Sequence, residues 1–228
     1  MSPNQNPSNR LLAAIPKTEF KLLSAKMETV PLVFGEPIYE AGGEIKRIYF
    51  PESGIISLLS AVDTDSTLEV GIVGSEGLAG VSVFLGVGAS PNRALVQGSG
   101  FAHTISSRAF LAACKSSEKL SSAVRRYIHS LLTQISQSAV CNRYHVIEDR
   151  LSRWLLMTHD RMRLDEFQIT QEFLSNMLGV RREAVSKAAG DLQRRGLISY
   201  KRGHLMVIDR PALEAAACPC YKLIANGK

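Results

Sequence analysis

The sequence predicts an α+β chain: an N-terminal antiparallel β-roll, one long helix, and a C-terminal winged helix-turn-helix. Three observations point there. Short β-type runs broken by glycine turns fill the region from Val30 to Gln97. From Ser117 to about Asn142, apolar residues recur at spacings of four and three. From Phe167 to Met206 the order is helix, glycine turn, helix, hairpin.

In chain order, residues 1 to 9 are polar and rich in Asn, Ser and Pro, and are expected to be disordered, with no apolar core like that of a signal peptide. Arg10 to Met27 reads as a helical start, with Leu11, Leu12, Ile15, Phe20, Leu22 and Leu23 as its apolar set. Strands follow at Val30–Phe34, Pro37–Tyr39, Arg47–Phe50, Gly54–Val62, Thr67–Val73 and Arg93–Gln97. Gly42-Gly43, Glu52-Ser53-Gly54, Asp63-Thr64-Asp65-Ser66 and Gly98-Ser99-Gly100 supply turns between them. This punctuation suits a small β-roll or barrel better than a parallel sheet.

Ser106 to Cys114 returns to helix, and the long helix over about 117–142 would span roughly 39 Å at 1.5 Å per residue. Leu120, Val124, Tyr127 and Leu131 form one stripe, expected to be a dimerisation seam that turns polar at Gln134 and Ser138. Ile128, Leu132, Ile135 and Ala139 make a second stripe beside it, so the helix can pack on its own domain and on a partner. The alternative is a single buried internal helix. His145 to Asp149 reads as a junction, which sets domains at 1–148 and 149–228. Arg150 to His159 is amphipathic, with Leu151, Trp154, Leu155 and Leu156 inward.

Thr170 is an N-cap candidate for a helix over Gln171–Leu178, whose Phe173, Leu174, Met177 and Leu178 share a face. Gly179 then permits a left-handed turn. A second helix from about Arg181 to Arg195 buries Val185, Ala188, Ala189 and Leu192 and stops at Gly196. Leu197–Tyr200 and Leu205–Ile208 flank a basic turn, Lys201-Arg202-Gly203-His204. Arg210 to Tyr221 reads as a last helix broken by Pro219.

The outer face of the second helix carries the chemistry. Arg182, Glu183, Ser186, Lys187 and Gly190 lie opposite the apolar stripe. Arg and Lys can bond guanine O6 and N7, and Glu can accept from cytosine N4, so this face suits base edges in a major groove. Lys201 and Arg202 in the hairpin and Arg181 before the second helix, with Thr170 and Gln171 at a helix N-terminus, suit phosphates. A solvated helix in an ordinary bundle would show the same charges, but not the preceding helix, glycine turn and basic hairpin. The net charge of +6 is unevenly spread: from Asp149 onward there are 14 basic against 9 acidic residues, and before it 13 against 12. The excess falls where phosphate contact is expected.

Other chemistry is sparse. No phosphate-binding glycine loop and no Gly-x-Ser-x-Gly elbow is present, so no enzyme is expected. His103, His129, His145, His159 and His204 do not cluster at metal spacing in the sequence. Of the four cysteines, Cys114, Cys141, Cys218 and Cys220, only Cys218-Pro219-Cys220 are paired, and that pair lacks the second cluster a zinc site requires. Reduced thiols and no metal are the expectation, with the role of Cys218 and Cys220 open. No apolar run approaches the roughly 18 residues of a membrane span, so the expected location is cytoplasmic, without membrane partners.

Thr170-Gln171-Glu172, Gly179-Val180-Arg181-Arg182-Glu183-Ala184-Val185-Ser186 and Gly196-Leu197-Ile198 resemble the signature of the Crp/Fnr transcription regulators. The resemblance covers nearly the whole chain and is most specific over 168–206. It implies a cyclic-nucleotide-binding-like effector domain and pairing of two copies through the long helix. Double-stranded DNA, a second copy of the chain and RNA polymerase are the implied partners; the effector, and any cofactor, stay unidentified. Val73 to Gln97 resembles the family's phosphate-binding cassette, which in cyclic-nucleotide binders begins Gly-Glu, the Glu holding a ribose hydroxyl, and ends with an Arg for the phosphate followed by Ser or Thr. Here Val81 follows Gly80, Glu76 sits earlier than the pattern requires, and Arg93 is followed by Ala94. Glu76 and Arg93 are the effector-binding candidates; a β-roll corner without ligand is the alternative. Some relatives bind an iron–sulfur cluster through N-terminal cysteines, but none precedes Cys114. The reading is a homodimeric, sequence-specific DNA-binding regulator under signal control. Its rival is a cyclic-nucleotide-binding module that acts on a protein partner.

Overall fold

A computed structural model of the chain describes residues 7–61 and 67–226. Contacts divide the chain into two compact units, residues 1–58 with 72–132, and residues 59–71 with 133–228. The division falls inside the long helix, whereas the sequence reading placed it at the junction after residue 148.

In the first unit, two short helices, α1 (Arg10–Ala13) and α2 (Lys17–Ser24), precede strands β1 (Glu28–Leu32), β2 (Pro37–Tyr39), β3 (Arg47–Pro51), β4 (Ile55–Ala61) and β5 (Thr67–Val73). A one-turn helix α3 (Val81–Phe84), strands β6 (Arg93–Gly98) and β7 (Gly100–Ser106), and helix α4 (Ser107–Ser116) follow. The strands form two sheets, ordered β1-β7-β3 and β2-β6-β4-β5. Where partners are registered they run antiparallel, as in Glu28↔Thr104 and Arg47↔Ser106. Ile48, Phe50, Ile55, Ile56, Ile72 and Ile105 are fully buried, and the Phe110 ring of α4 meets Phe50 edge-on at 6.0 Å between centroids. The sequence reading missed β7, whose Gly100-Phe101-Ala102-His103 start lacks clean alternation.

The N-terminal expectation needs one correction. Residues 1–6 lie outside the described residues, but Asn9 is not loose: it is wholly buried. Its amide donates to Pro51 O (2.9 Å) and Gly77 O (2.8 Å), and its carbonyl oxygen caps α1 by accepting from Leu11 and Leu12 N–H. The expected turn at Asp63–Ser66, with Val62, also lies outside the described residues.

The long helix α5 (Glu118–Tyr144) has 27 residues, about 40 Å. The second unit continues with α6 (Ile147–Met162), a short strand β8 (Glu166–Gln168), α7 (Gln171–Leu178), α8 (Arg182–Arg194), the hairpin β9 (Ile198–Lys201) and β10 (His204–Val207), then α9 (Arg210–Ala216) and α10 (Cys220–Asn226). α6 is the support of the unit: Leu151, Trp154, Leu155, Leu156 and Met157 are buried, facing α8 and α9. Arg210 binds Asp160 (2.7 Å), Glu214 and the Tyr221 hydroxyl, and so ties α9 and α10 to α6. Trp154 Nε1 donates to Glu69 at 2.8 Å, within the same unit. No helix among the described residues is long and apolar enough to cross a membrane.

Candidate nucleic-acid interface

The two helices of the motif are locally specified. Thr170 Oγ1 accepts from Phe173 N–H (3.1 Å), so the expected cap forms. Leu174, Met177 and Leu178 are buried; Phe173 is half-buried. α7 ends on Gly179 at φ 60, the left-handed conformation that an L side chain resists, and a Cβ there would meet Leu68 Cδ1 at 2.9 Å. A buried guanidinium also holds that end, since Arg150 of α6 donates to Leu178 O. α8 buries Val185, Ala188, Ala189 and Leu192. Its small alanines permit close approach to α6 and α7, which leaves the opposite face outward.

On that face Arg181, Arg182, Glu183 and Lys187 are exposed. None of them is in an ion pair among the described residues. Ser186 is placed differently: its hydroxyl donates to Gln171 Oε1 (2.8 Å) and to Arg182 O (3.1 Å). It therefore joins α8 to α7 and orients Gln171. The wing is a two-residue hairpin whose central residues, Arg202 (φ 52) and Gly203 (φ 82), both have positive φ, as a twist-matched tight turn demands. This sets Lys201 and Arg202 at its tip, both exposed. Thr170, Gln171, Arg182, Tyr200, Arg202 and Gly203 line one cleft of ≈ 290 Å³. The structure thus groups five of the nine singled-out DNA-contact residues around Tyr200 or in direct contact with that group, and sets Arg181, Glu183, Lys187 and Lys201 on the exposed surfaces beside it.

Sequence reasoning missed Tyr200 and β8. Tyr200 donates to Ile169 O (2.9 Å) and its N–H donates to Gln193 Oε1 (2.7 Å); burial pushes its phenol above the usual tyrosine range. β8 pairs with β10 (Phe167↔Leu205), which makes the wing three-stranded. The Phe167-Gln168-Ile169 alternation, with Phe167 and Ile169 buried, was the available signal.

The effector candidates belong to the first unit. Arg93 pairs with Glu40 on its own domain (Nε to Oε2, 3.1 Å), a partner 53 positions away that no local pattern suggests. Glu76 is half-buried in the loop before Gly77, and Gly77 lies so close to Tyr127 that a Cβ would overlap its ring. A cleft of ≈ 450 Å³ in this unit lies between α2, α4 and the start of α5, lined by Ile15, Leu23, Ala113 and Leu120 among others and not by Glu76 or Arg93.

The expected dimerisation stripe lies buried in the single chain. Leu120, Val124, Tyr127 and Leu131 are 1%, 0%, 7% and 4% exposed in the single chain, so their apolar surface is already covered. The same ridge continues through buried Gln134, Ser138 and Cys141. The neighbouring stripe is the outward one: Leu132 is 57% exposed, with Ile128 and Ile135 half-buried and Ala139 exposed. Spacing identifies residues that share a face, but it does not say what covers them.

The cysteines also differ from expectation. Cys141, at the C-terminal end of α5, lies 3.4 Å (Sγ to Sγ) from Cys218, and Cys220 Sγ lies 3.5 Å from His145 Nδ1. Cys141 and His145, one helical turn apart, thus bring a thiol and an imidazole to the Cys218-Pro219-Cys220 segment. A hydrogen bond from Cys218 is the main cause holding the Cys141 thiol down to about 5, with help from the charge of Arg153.

Residues 149–216 match the family model described as the Crp-like helix-turn-helix domain. No curated protein sequence matches the chain. Solved structures share its fold at low identity. An Eubacterium rectale protein assigned to the Crp/Fnr family is 16% identical, with a TM-score of 0.70 over 92% of this chain and 98% of its own. A Crp-family transcriptional regulator of Thermus thermophilus is 20% identical, with a TM-score of 0.68 over 82% and 96%. The c-di-GMP-responsive global regulator CLP of Xanthomonas campestris is 15% identical, with a TM-score of 0.69 over 84% and 99%. Residues 149–216 are a Crp-like helix-turn-helix domain, set in a chain that has the fold of solved Crp/Fnr regulators.

Proposed function

We propose that this chain is a homodimeric, sequence-specific DNA-binding transcription regulator of the Crp/Fnr family, acting in the cytoplasm. The observation that carries the reading is the unpaired, exposed set Arg181, Arg182, Glu183 and Lys187 on α8, with Lys201 and Arg202 on the wing beside it. In this reading α8 enters the major groove, Arg182 and Lys187 bond guanine edges, and Glu183 accepts from cytosine N4. Lys201, Arg202, Arg181 and the N-terminus of α7 at Thr170 and Gln171 meet phosphates.

Two copies would pair along the outward stripe of α5 around Leu132, and their α8 helices would have to sit about 34 Å apart, one turn of DNA. An effector taken up by the first unit would alter that spacing and so the affinity. Arg93, released from Glu40, would take the anionic part of such a ligand and Glu76 would accept from a hydroxyl on it, and RNA polymerase is the proposed downstream partner. Selection from a random pool of duplexes tests the reading. The expected result is a palindrome with half-sites one turn apart; enrichment of no sequence would overturn it.

A further inference from the structure

Three of the four cysteines converge in the second unit with a histidine. Cys141 ends one face of α5, His145 follows one turn later, and Cys218 and Cys220 flank Pro219 between α9 and α10. The three thiols are 0%, 3% and 1% exposed, while His145 is half-buried at the edge of the group. The three sulfurs and a ring nitrogen of His145 all lie within 4.8 Å of one another. Buried cysteines alone often act as small apolar side chains. Three features set this group apart. The four residues come from segments more than seventy positions apart, yet they present one ligand atom each to a common centre. The Gln137 side-chain amide, itself from α5, donates to Cys220 Sγ at 3.1 Å, the kind of outer hydrogen bond that steadies a metal-bound thiolate. With the hydrogen bond from Cys218, the guanidinium of Arg153, buried close by, favours thiolate at Cys141, while that same bond to Cys141 and burial push the Cys218 thiol up.

We propose that Cys141, His145, Cys218 and Cys220 form a closed, four-ligand site for a borderline-soft divalent cation of the zinc class. A tetrahedral ion about 2.3 Å from each sulfur sets the sulfurs roughly 3.8 Å apart. The present separations, from 3.4 Å up to the 4.8 Å limit, bracket that value, so side-chain adjustments of about 1 Å or less complete the geometry. Binding holds all three sulfurs as thiolates and releases to solvent the protons they still carry. Three thiolates and one dication leave a net charge of −1, which Arg153 offsets. With all four positions filled by protein, the site has no opening for substrate, and its role is to clamp α10 and the end of α9 onto the C-terminal turn of α5. The half-buried His145 is the side from which the ion enters.

The test uses the full chain, purified under reducing conditions without metal-affinity resin, with metal content measured by plasma mass spectrometry and cobalt(II) substituted for spectroscopy. About one zinc per chain is expected. The cobalt form should show sulfur-to-metal charge-transfer and tetrahedral ligand-field bands, a signature read on the unmutated protein and so independent of whether variants fold. Cys220→Ser should lower the metal content and weaken the charge-transfer bands. His145→Cys should keep the metal and strengthen them. Cys114→Ser, a cysteine outside the group, should change neither. Protein whose thiols all titrate as free after equilibration with zinc would overturn the site. So would a Cys141–Cys218 disulfide as the isolated form, or full metal content in a Cys141→Ser/Cys218→Ser double variant. No DNA enters these readouts, so their failure is separable from failure of the regulatory reading.

Discussion

Arg182 and Arg93 were both singled out as ligand-binding cations, Arg182 for a base edge and Arg93 for a phosphate, and the two units of the molecule treat them differently. Arg182 stands on an exposed helix face without an ion-pair partner, in company with Arg181, Lys187 and the wing cations. Arg93 is 40% exposed but already paired with Glu40. An unpaired cation attracts a ligand at no internal cost. A paired one must first give up its carboxylate, so the ligand's gain is the difference between two similar bonds. Arg182 is thus open to a ligand as it stands, whereas a ligand of Arg93 would first have to outcompete Glu40.

The largest expected effect tests the unpaired side of this contrast. If six to ten phosphates are met by Lys201, Arg202, Arg181 and the symmetry mates, affinity should fall about 10³- to 10⁵-fold between 50 and 200 mM salt. Fluorescence anisotropy on a selected duplex measures this, and a flat response would break the comparison. Next in size is the inner against the outer stripe of α5. Leu131→Ala should destabilise the fold by about 2–5 kcal/mol in chemical denaturation. Leu132→Ala should leave stability within about 0.5 kcal/mol, yet weaken self-association in sedimentation. The opposite pattern would return the seam to the inner stripe.

Smaller effects sharpen the assignment of individual side chains. Arg182→Ala and Lys187→Ala should each cost about 1–3 kcal/mol on the selected site and relax its base preference, whereas Lys201→Ala should weaken all sequences alike. An unchanged consensus with Arg182→Ala would move the reading face elsewhere on α8. On the paired side, Val81 in place of a carboxylate forfeits a charge-assisted bond to a ribose hydroxyl, about 1.5–3 kcal/mol, so calorimetry should show no low-micromolar cAMP isotherm. A saturable isotherm lost with Arg93→Ala would overturn that. The smallest effect is on the pair itself: Glu40→Gln should change stability by no more than about 1 kcal/mol, because both groups are partly exposed.

What the sequence revealed divides along the same line between local and distant causes. α7, Gly179 and α8 were legible because cap, apolar stripe and stop all lie within one turn of the residues they control. Whether the stripe at Leu120, Val124, Tyr127 and Leu131 faces in or out was not, because its covering comes from elsewhere in the chain. The pairing of Arg93 with Glu40, the burial of Asn9 and the meeting of Cys141 with Cys218 are of the same kind. Among these, the cysteine group alone left local traces, in Cys218-Pro219-Cys220 and in the Cys141-x-x-x-His145 spacing. Arg150 was placed on the right helix, but nothing nearby announced that its guanidinium would hold the end of α7.

The third strand of the wing has a kinetic consequence. β9 and β10 are joined by a two-residue turn and can pair as soon as they leave the ribosome. β8, however, precedes α7 and must pair with β10 across both helices. Closing that long loop costs entropy, and the remaining cost is smallest once α7 and α8 have docked and brought its ends together. Lys201 and Arg202 are therefore fixed in place among the last residues of the unit, and a nascent or partly opened chain does not display the complete cationic surface.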